Sequence, residues 1–222
     1  MQEGKLTMQT TTTTASVPKT ELITRALTIK QPFAWGISTS IKLVENRTWP
    51  TNYRGRIAIH ASLDEYHLYP SDEMYDSFWS VPAVFAADDV DDGDEFDQSP
   101  ITPPFTLGAI VGTAEIIGCV ELDPIETFES QVRALPGFQE QYGGTPITQF
   151  ATGPYCFILA NAERLLNPIP CRGKLNLWTI PDQVQIALHH SRRKLLTDPQ
   201  ALPNLTEQEK EKHQKFLASN KS

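Results

Sequence analysis

The chain has little cysteine, little glycine and no long apolar run. Its 222 residues include three cysteines, Cys119, Cys156 and Cys171, which cannot all pair within one chain. None lies in a Cys-x-x-Cys or Cys/His ligand spacing, so neither a disulfide framework nor a zinc site has sequence support, and no metal or organic cofactor is indicated. Cys119 and Cys156 sit inside strand-like apolar runs, where a thiol acts as a small hydrophobe. No stretch of about 18 apolar residues is available to cross a membrane. The N-terminus has no basic patch followed by an apolar segment, so no secretory signal is expected. A reducing cytoplasm is the expected location. Twelve glycines against seventeen prolines predict many short elements with defined turns.

Positive charge is also in deficit, with 19 Lys and Arg against 27 Asp and Glu, a net −8. Spread evenly, that balance would argue against a polyanion binder. It is not spread evenly. Asp88, Asp89, Asp91, Asp92, Asp94, Glu95 and Asp97 form a run without a base and account for all but one of the eight charges. Between residues 30 and 56, Lys30, Lys42, Arg47, Arg54 and Arg56 face Glu45 alone. Local fields steer ligands more than net charge does, so a basic cleft fits a mildly acidic protein.

Hydrophobic patterning predicts an α+β fold. Residues 1–24, with the tract Thr10 to Thr14, lack apolar periodicity and read as a disordered tail. Ala26 to Lys30 reads as a strand, and Pro32 opens a helix carrying Phe33, Trp35, Ile37 and Ile41. Leu43 to Trp49 is a second strand. Ile57 and Ile59 alternate with Arg56 and His60, as in a half-buried third. Leu63 to Val81 suggests one or two short helices, and 87–104 a long acidic loop. Leu107 to Leu122 is a strand with bends at Gly112 and Gly118. Pro124 to Leu135 is a helix carrying Phe128 and Val132, Tyr155 to Ala160 a strand, and Leu175 to Ile180 another. From Asp182 a helical C-terminal extension runs through 182–222, interrupted near Pro199, with a Thr206/Glu209 capping box before its last helix.

The stretch from Leu27 to Ser62 resembles the ASCH (activating signal cointegrator homology) domain. Its residues are Gln31-Pro32-Phe33-Ala34, then Lys42, Glu45, Arg47 and Trp49, then Arg54-Gly55 and His60-Ala61. The resemblance covers residues 25–181, with the acidic loop as an insertion. One departure is Ser40, where the family usually has glycine; a residue there must avoid or tolerate a left-handed backbone. The resemblance implies a small PUA-like β-barrel with flanking helices. It also implies a cleft beside the first helix, lined by the Lys-x-x-Glu-x-Arg residues, that takes RNA or a nucleotide-like ligand.

The residue types agree with that expectation. Arginine offers a planar fork for phosphate or a base edge, and lysine a point charge. Trp49 and His60, interleaved with Lys30, Lys42, Arg47 and Arg54, offer flat surfaces beside cations, as an unstacked base needs. Each also has a plainer reading. Glu45 with Arg47 suits a structural ion pair, Trp49 a core position, and His60 a hydrogen-bonded sheet histidine. The expected activity is binding of RNA or another, single-stranded, nucleic acid through Lys30, Lys42, Glu45, Arg47, Trp49, Arg54 and His60. The alternative is hydrolysis of a nucleoside-sized ligand or of RNA at the same cleft. Some small proteins of this fold are N4-acetylcytidine amidohydrolases, using the motif lysine and a threonine three residues later. Here Lys42 matches, but Glu45 occupies the threonine's place. As an enzyme the protein would have to use Lys42 and Glu45 differently, for example as a ribonuclease with Glu45 as general base.

Overall fold

The computed structural model describes residues 22–66, 105–138 and 147–197. Its elements run β1 (Arg25–Gln31), α1 (Phe33–Ser38), β2 (Val44–Arg47), β3 (Gly55–Glu65), β4 (Ala109–Glu121), α2 (Ile125–Arg133), a 3-10 turn (Ile147–Phe150), β5 (Tyr155–Pro170), β6 (Leu177–Thr179) and α3 (Asp182–Thr197). The strands form one mixed sheet in the order β2-β5-β4-β3-β1-β6. β1 pairs with β3 in parallel, and the other ladders are antiparallel.

The sheet is not closed into the barrel that the resemblance implies. Its edges, β2 and β6, have four and three residues and share no ladder. The sheet nevertheless curls, because its long strands carry register shifts at Ile59/His60, Ile110/Gly112, Thr113/Glu115 and Ile116/Gly118. Such bulges increase local twist. Gly112 and Gly118 therefore stand where the strand was expected to bend. Gly112 also admits α1: a Cβ there would lie 2.6 Å from Ser38 Cβ and 2.7 Å from the Glu163 carbonyl oxygen.

The curl brings Arg47, at the end of β2, within reach of β1, with three strands between them in the sheet order. Its guanidinium Nη2 donates to the Thr28 carbonyl at 2.8 Å. A single side chain thus spans the seam that a barrel would close with a ladder.

Helix α1 begins where the Gln-Pro motif sets it. Gln31 is buried; its side-chain oxygen accepts the Trp35 N–H at 2.9 Å while its amide donates to the Thr106 carbonyl at 3.1 Å. The helix stops at Ser38 rather than at Ile41. Ser38 and Thr39 both turn their hydroxyls back onto the Trp35 carbonyl, at 2.9 Å each, and Ser40 takes a left-handed φ of 67°. Local side-chain bonds of this kind compete with helix continuation. Ser40 thus adopts the conformation for which the family pattern has glycine.

The core lies on both faces of the sheet. Leu27, Ile29, Ile37, Ile57, Ile59, Phe157 and Leu159 cluster on one side, and Ala26, Ala58, Ile110, Trp178 and Leu188 on the other. Each such large side chain contributes about 1.5–3 kcal/mol when fully buried. Residues Ile57 to Ala61 are accordingly all buried, where alternation had suggested a half-exposed strand. β5 runs on to Pro170 because it continues to pair with β4 past the expected end at Ala160. Leu63 to Glu65 complete β3 instead of opening a helix. Asp182–Thr197 forms a helix where one was expected to begin. The N-terminal tail up to residue 21, most of the segment 63–81, the acidic loop 87–104, and Pro199 with the Thr206/Glu209 box lie outside the described residues. Among the described residues no helix is long and apolar enough to cross a membrane.

Candidate nucleic-acid interface

A cavity of about 630 Å³ opens at the seam between β1 and β2. β1 contributes Thr28, Ile29 and Lys30; β2 contributes Glu45 and Arg47; the end of β3 contributes His60 and Ser62 to Asp64. Helix α1 contributes Phe33, and the strap joining β5 to β6, Cys171 to Asn176, forms the remaining wall.

The floor carries an ion triad. Glu45 Oε2 lies 2.9 Å from Lys42 Nζ, and Glu45 Oε1 lies 2.9 Å from an Arg47 guanidinium nitrogen. Lys42 also donates to the Val44 carbonyl and lies 5.4 Å from the Phe33 ring centre. Lys42 and Glu45 are buried, with 2% and 7% of their surface exposed. Burying isolated charges is costly, and the arrangement is tolerable because each has a charged partner and further bonds. Glu45 and Arg47 face the cavity, whereas Lys42 stands behind Glu45 and does not line it. The pairing of Glu45 with Arg47 is the structural one that their spacing suggested.

His60 is 1% exposed. Its Nε2 lies 2.9 Å from the Cys171 carbonyl oxygen, which can only accept, so Nε2 carries the proton. Nδ1 is buried without a hydrogen-bond partner. Burial lowers the His60 pKa below its ordinary value, against the upward pull of the Cys171 carbonyl. Trp178 meets the imidazole edge-on, with ring centres 5.7 Å apart. Among the described residues, Arg47 Nε is the cavity's other buried nitrogen without a partner. The walls thus hold one unused acceptor and one unused donor.

Three bonds pin the strap. The Cys171 N–H donates to the Gly108 carbonyl at 3.1 Å, its carbonyl accepts from His60, and Thr28 Oγ1 donates to the Lys174 carbonyl at 2.9 Å. Thr28 Oγ1 in turn accepts from Trp178 Nε1 at 3.0 Å. Gly173 is required by proximity: a Cβ there would lie 2.5 Å from His60 Cε1, 2.7 Å from Nδ1 and 2.9 Å from Thr28 Oγ1. The strap holds Arg172 and Lys174 exposed at the cavity wall.

Of the residues singled out in the sequence, Lys30, Glu45, Arg47 and His60 meet at this cavity, with Lys42 beneath them. Trp49 is elsewhere, edge-on to Phe157 with ring centres 5.0 Å apart. Arg54 is exposed and donates to the Thr51 and Tyr53 carbonyls. Sequence reasoning missed Thr28, Arg172 and Lys174. The run Arg172-Gly173-Lys174 was the available signal, a glycine between two cations.

The thiols take no part in pairing: Cys119, Cys156 and Cys171 are free. Burial pushes the Cys156 thiol up to about 11 and raises Cys171 as well, which keeps both protonated at neutral pH. Among the described residues no group of three His, Cys, Asp or Glu side chains is placed to hold a metal ion.

Comparison with known proteins agrees with the motif. Activating signal cointegrator 1 of Homo sapiens is 25% identical over 158 residues, which make up 71% of this chain and 22% of that protein. The Mus musculus protein of the same name matches with the same figures. The chain thus spans about a fifth of the length of these curated relatives. A crystal structure of ASCH from Zymomonas mobilis overlaps 74% of this chain and 92% of its own, at 14% identity and a TM-score of 0.38. The model of the ASCH domain matches residues 27–169, well over half of the sequence, and the chain belongs to the ASCH domain family.

Proposed function

We propose that this protein binds RNA or another nucleic acid at the β1–β2 seam, and that the curled sheet is a PUA-like barrel left open there to make the site. The observation that carries this reading is the convergence of Lys30, Arg47, Arg172 and Lys174 on one cavity of a chain whose net charge is −8. Glu45 does not cancel that field, because Lys42, which lies beneath the cavity and is not one of the four, offsets its charge. Among the described residues Asp64 is the remaining carboxylate at the wall. Cations that line a concave wall attract phosphate and release its counterions on binding.

Binding is favoured over hydrolysis by the state of Glu45. A general base needs a free oxygen within reach of water, and both Glu45 oxygens are engaged by cations. Lys42, tied to Glu45 and to the Val44 carbonyl, has no approach to the cavity as a base.

The test is fluorescence anisotropy of labelled single-stranded RNA, single-stranded DNA and duplex at two salt concentrations. Saturable binding that weakens with salt, and weakens further in Lys30→Gln/Lys174→Gln, is the expected result. No binding to any of the three would defeat the reading.

A further inference from the structure

The two most exposed large apolar side chains among the described residues are Leu175, at 89%, and Leu63, at 79%, and both line the same cavity. They come from different elements. Leu63 stands near the end of β3 and lies over Gly108, where a Cβ would be 2.9 Å from its Cδ2. Leu175 sits on the strap, which is tied back to that same Gly108 through the Cys171 N–H. Ile29 and the half-buried ring of Phe33 continue the apolar surface inward, while Arg172 and Lys174 stand beside it.

Exposed leucines are costly to leave in water and mean little singly, but here two share one mouth with four cations. The combination fits a ligand with a flat apolar face attached to a phosphate chain. We infer that Leu63 and Leu175 clamp one unstacked base of a single-stranded nucleic acid, with Arg172 and Lys174 holding the adjoining phosphates. The inference rests on the nucleic-acid reading and narrows it. A cavity of about 630 Å³ takes an object of nucleotide size. A paired base cannot enter it, because its faces are covered by neighbours in the stack, so the clamp selects unpaired segments. Apolar faces tolerate any base, so the clamp by itself sets no sequence preference.

The experiment uses the full chain, a fluorescein-labelled ten-nucleotide single-stranded RNA, the same RNA as a duplex, and the same strand with its bases replaced by abasic sugars. Both leucines are exposed, so Leu63→Gln/Leu175→Gln is expected to melt like the wild type. The clamp predicts that this variant loses about ten-fold in affinity for the single strand. It also predicts an unchanged salt slope, unchanged duplex affinity, and no further loss on the abasic strand. Wild-type affinity of the variant for the single strand, with binding still lost in Arg172→Gln/Lys174→Gln, overturns the clamp and leaves nucleic-acid binding standing. Equal losses for single strand and duplex also overturn it. Absence of binding by the wild type to every probe overturns both readings together.

Discussion

Lys42 Nζ lies 2.9 Å from Glu45 Oε2 with both residues buried, so the motif lysine acts on its own chain before it acts on any ligand. The Lys-x-x-Glu-x-Arg spacing places Lys42 just before β2 and the other two on one face of the strand, where the carboxylate bridges both cations. The triad sets the position of Arg47, which alone among the three also reaches across the seam to β1.

Breaking that triad should therefore be read first in stability. Lys42→Met leaves a buried carboxylate oxygen without its cation, and removing one partner of a buried pair costs about 3–5 kcal/mol. Arg47 remains on Glu45, which places the expected loss near the lower end. For a chain of this size that corresponds to a drop in melting temperature of about 6–12 °C. Calorimetry or a dichroism melt checks it; a melt within a degree of wild type would show that the pair contributes nothing.

Gly173→Ala tests the strap. The added Cβ would overlap His60 and Thr28, which are fixed by bonds to Cys171, Lys174 and Trp178, so the strap must move. We expect a loss of about 1–3 kcal/mol in stability and weaker binding of single-stranded RNA. Wild-type values for both would mean that the strap rearranges freely.

His60 makes stability depend on pH. Its pKa is lowered in the folded state by burial, so below about 6.5 the unfolded chain binds a proton that the folded chain resists. The His60 contribution is fully present above the unfolded pKa and is lost as pH falls through that value toward the folded one. His60→Gln removes the titration, and its melting temperature should fall less between pH 7.5 and 5.5 than that of wild type. Parallel curves for the two proteins would contradict this.

A separate ion cluster fastens α3. Glu163 on β5 accepts from Arg192 Nε at 2.7 Å and from Nη2 at 3.0 Å, and lies 3.3 Å from Arg56. Burial alone would raise the Glu163 pKa; the hydrogen bond from Arg192 and the charges of Arg56 and Arg192 outweigh it and hold the carboxyl below its ordinary value. This contribution is present above the unfolded pKa and is lost as pH falls through the folded one. Glu163→Gln should cost about 1–3 kcal/mol and speed amide exchange in α3, without altering nucleic-acid affinity. A change in affinity would place α3 in the binding surface.

The sequence made much of this legible. The strands carrying Ile29, Ile57 and Ile59, the bends at Gly112 and Gly118, and the helix with Phe128 and Val132 follow from periodicity and composition, which report burial directly. Closure of the barrel did not follow, because it depends on the lengths of β2 and β6 and on where the bulges fall. The candidate site was legible in its first half only. Glu45 and Arg47 announce themselves by spacing on one strand, whereas Arg172 and Lys174 arrive from well over a hundred residues away, through a strap fixed by a carbonyl bond to His60. Trp49 shows the opposite failure: it stands beside the motif in sequence, yet its ring packs on Phe157.

The most direct test of the binding site is amide chemical-shift mapping of the full chain as a short single-stranded RNA is added. The account predicts that the largest changes fall on Thr28 to Lys30, on Leu63 and Asp64, and on Cys171 to Asn176. Saturable shifts centred instead on Arg54 or on α3, with the seam undisturbed, would contradict it.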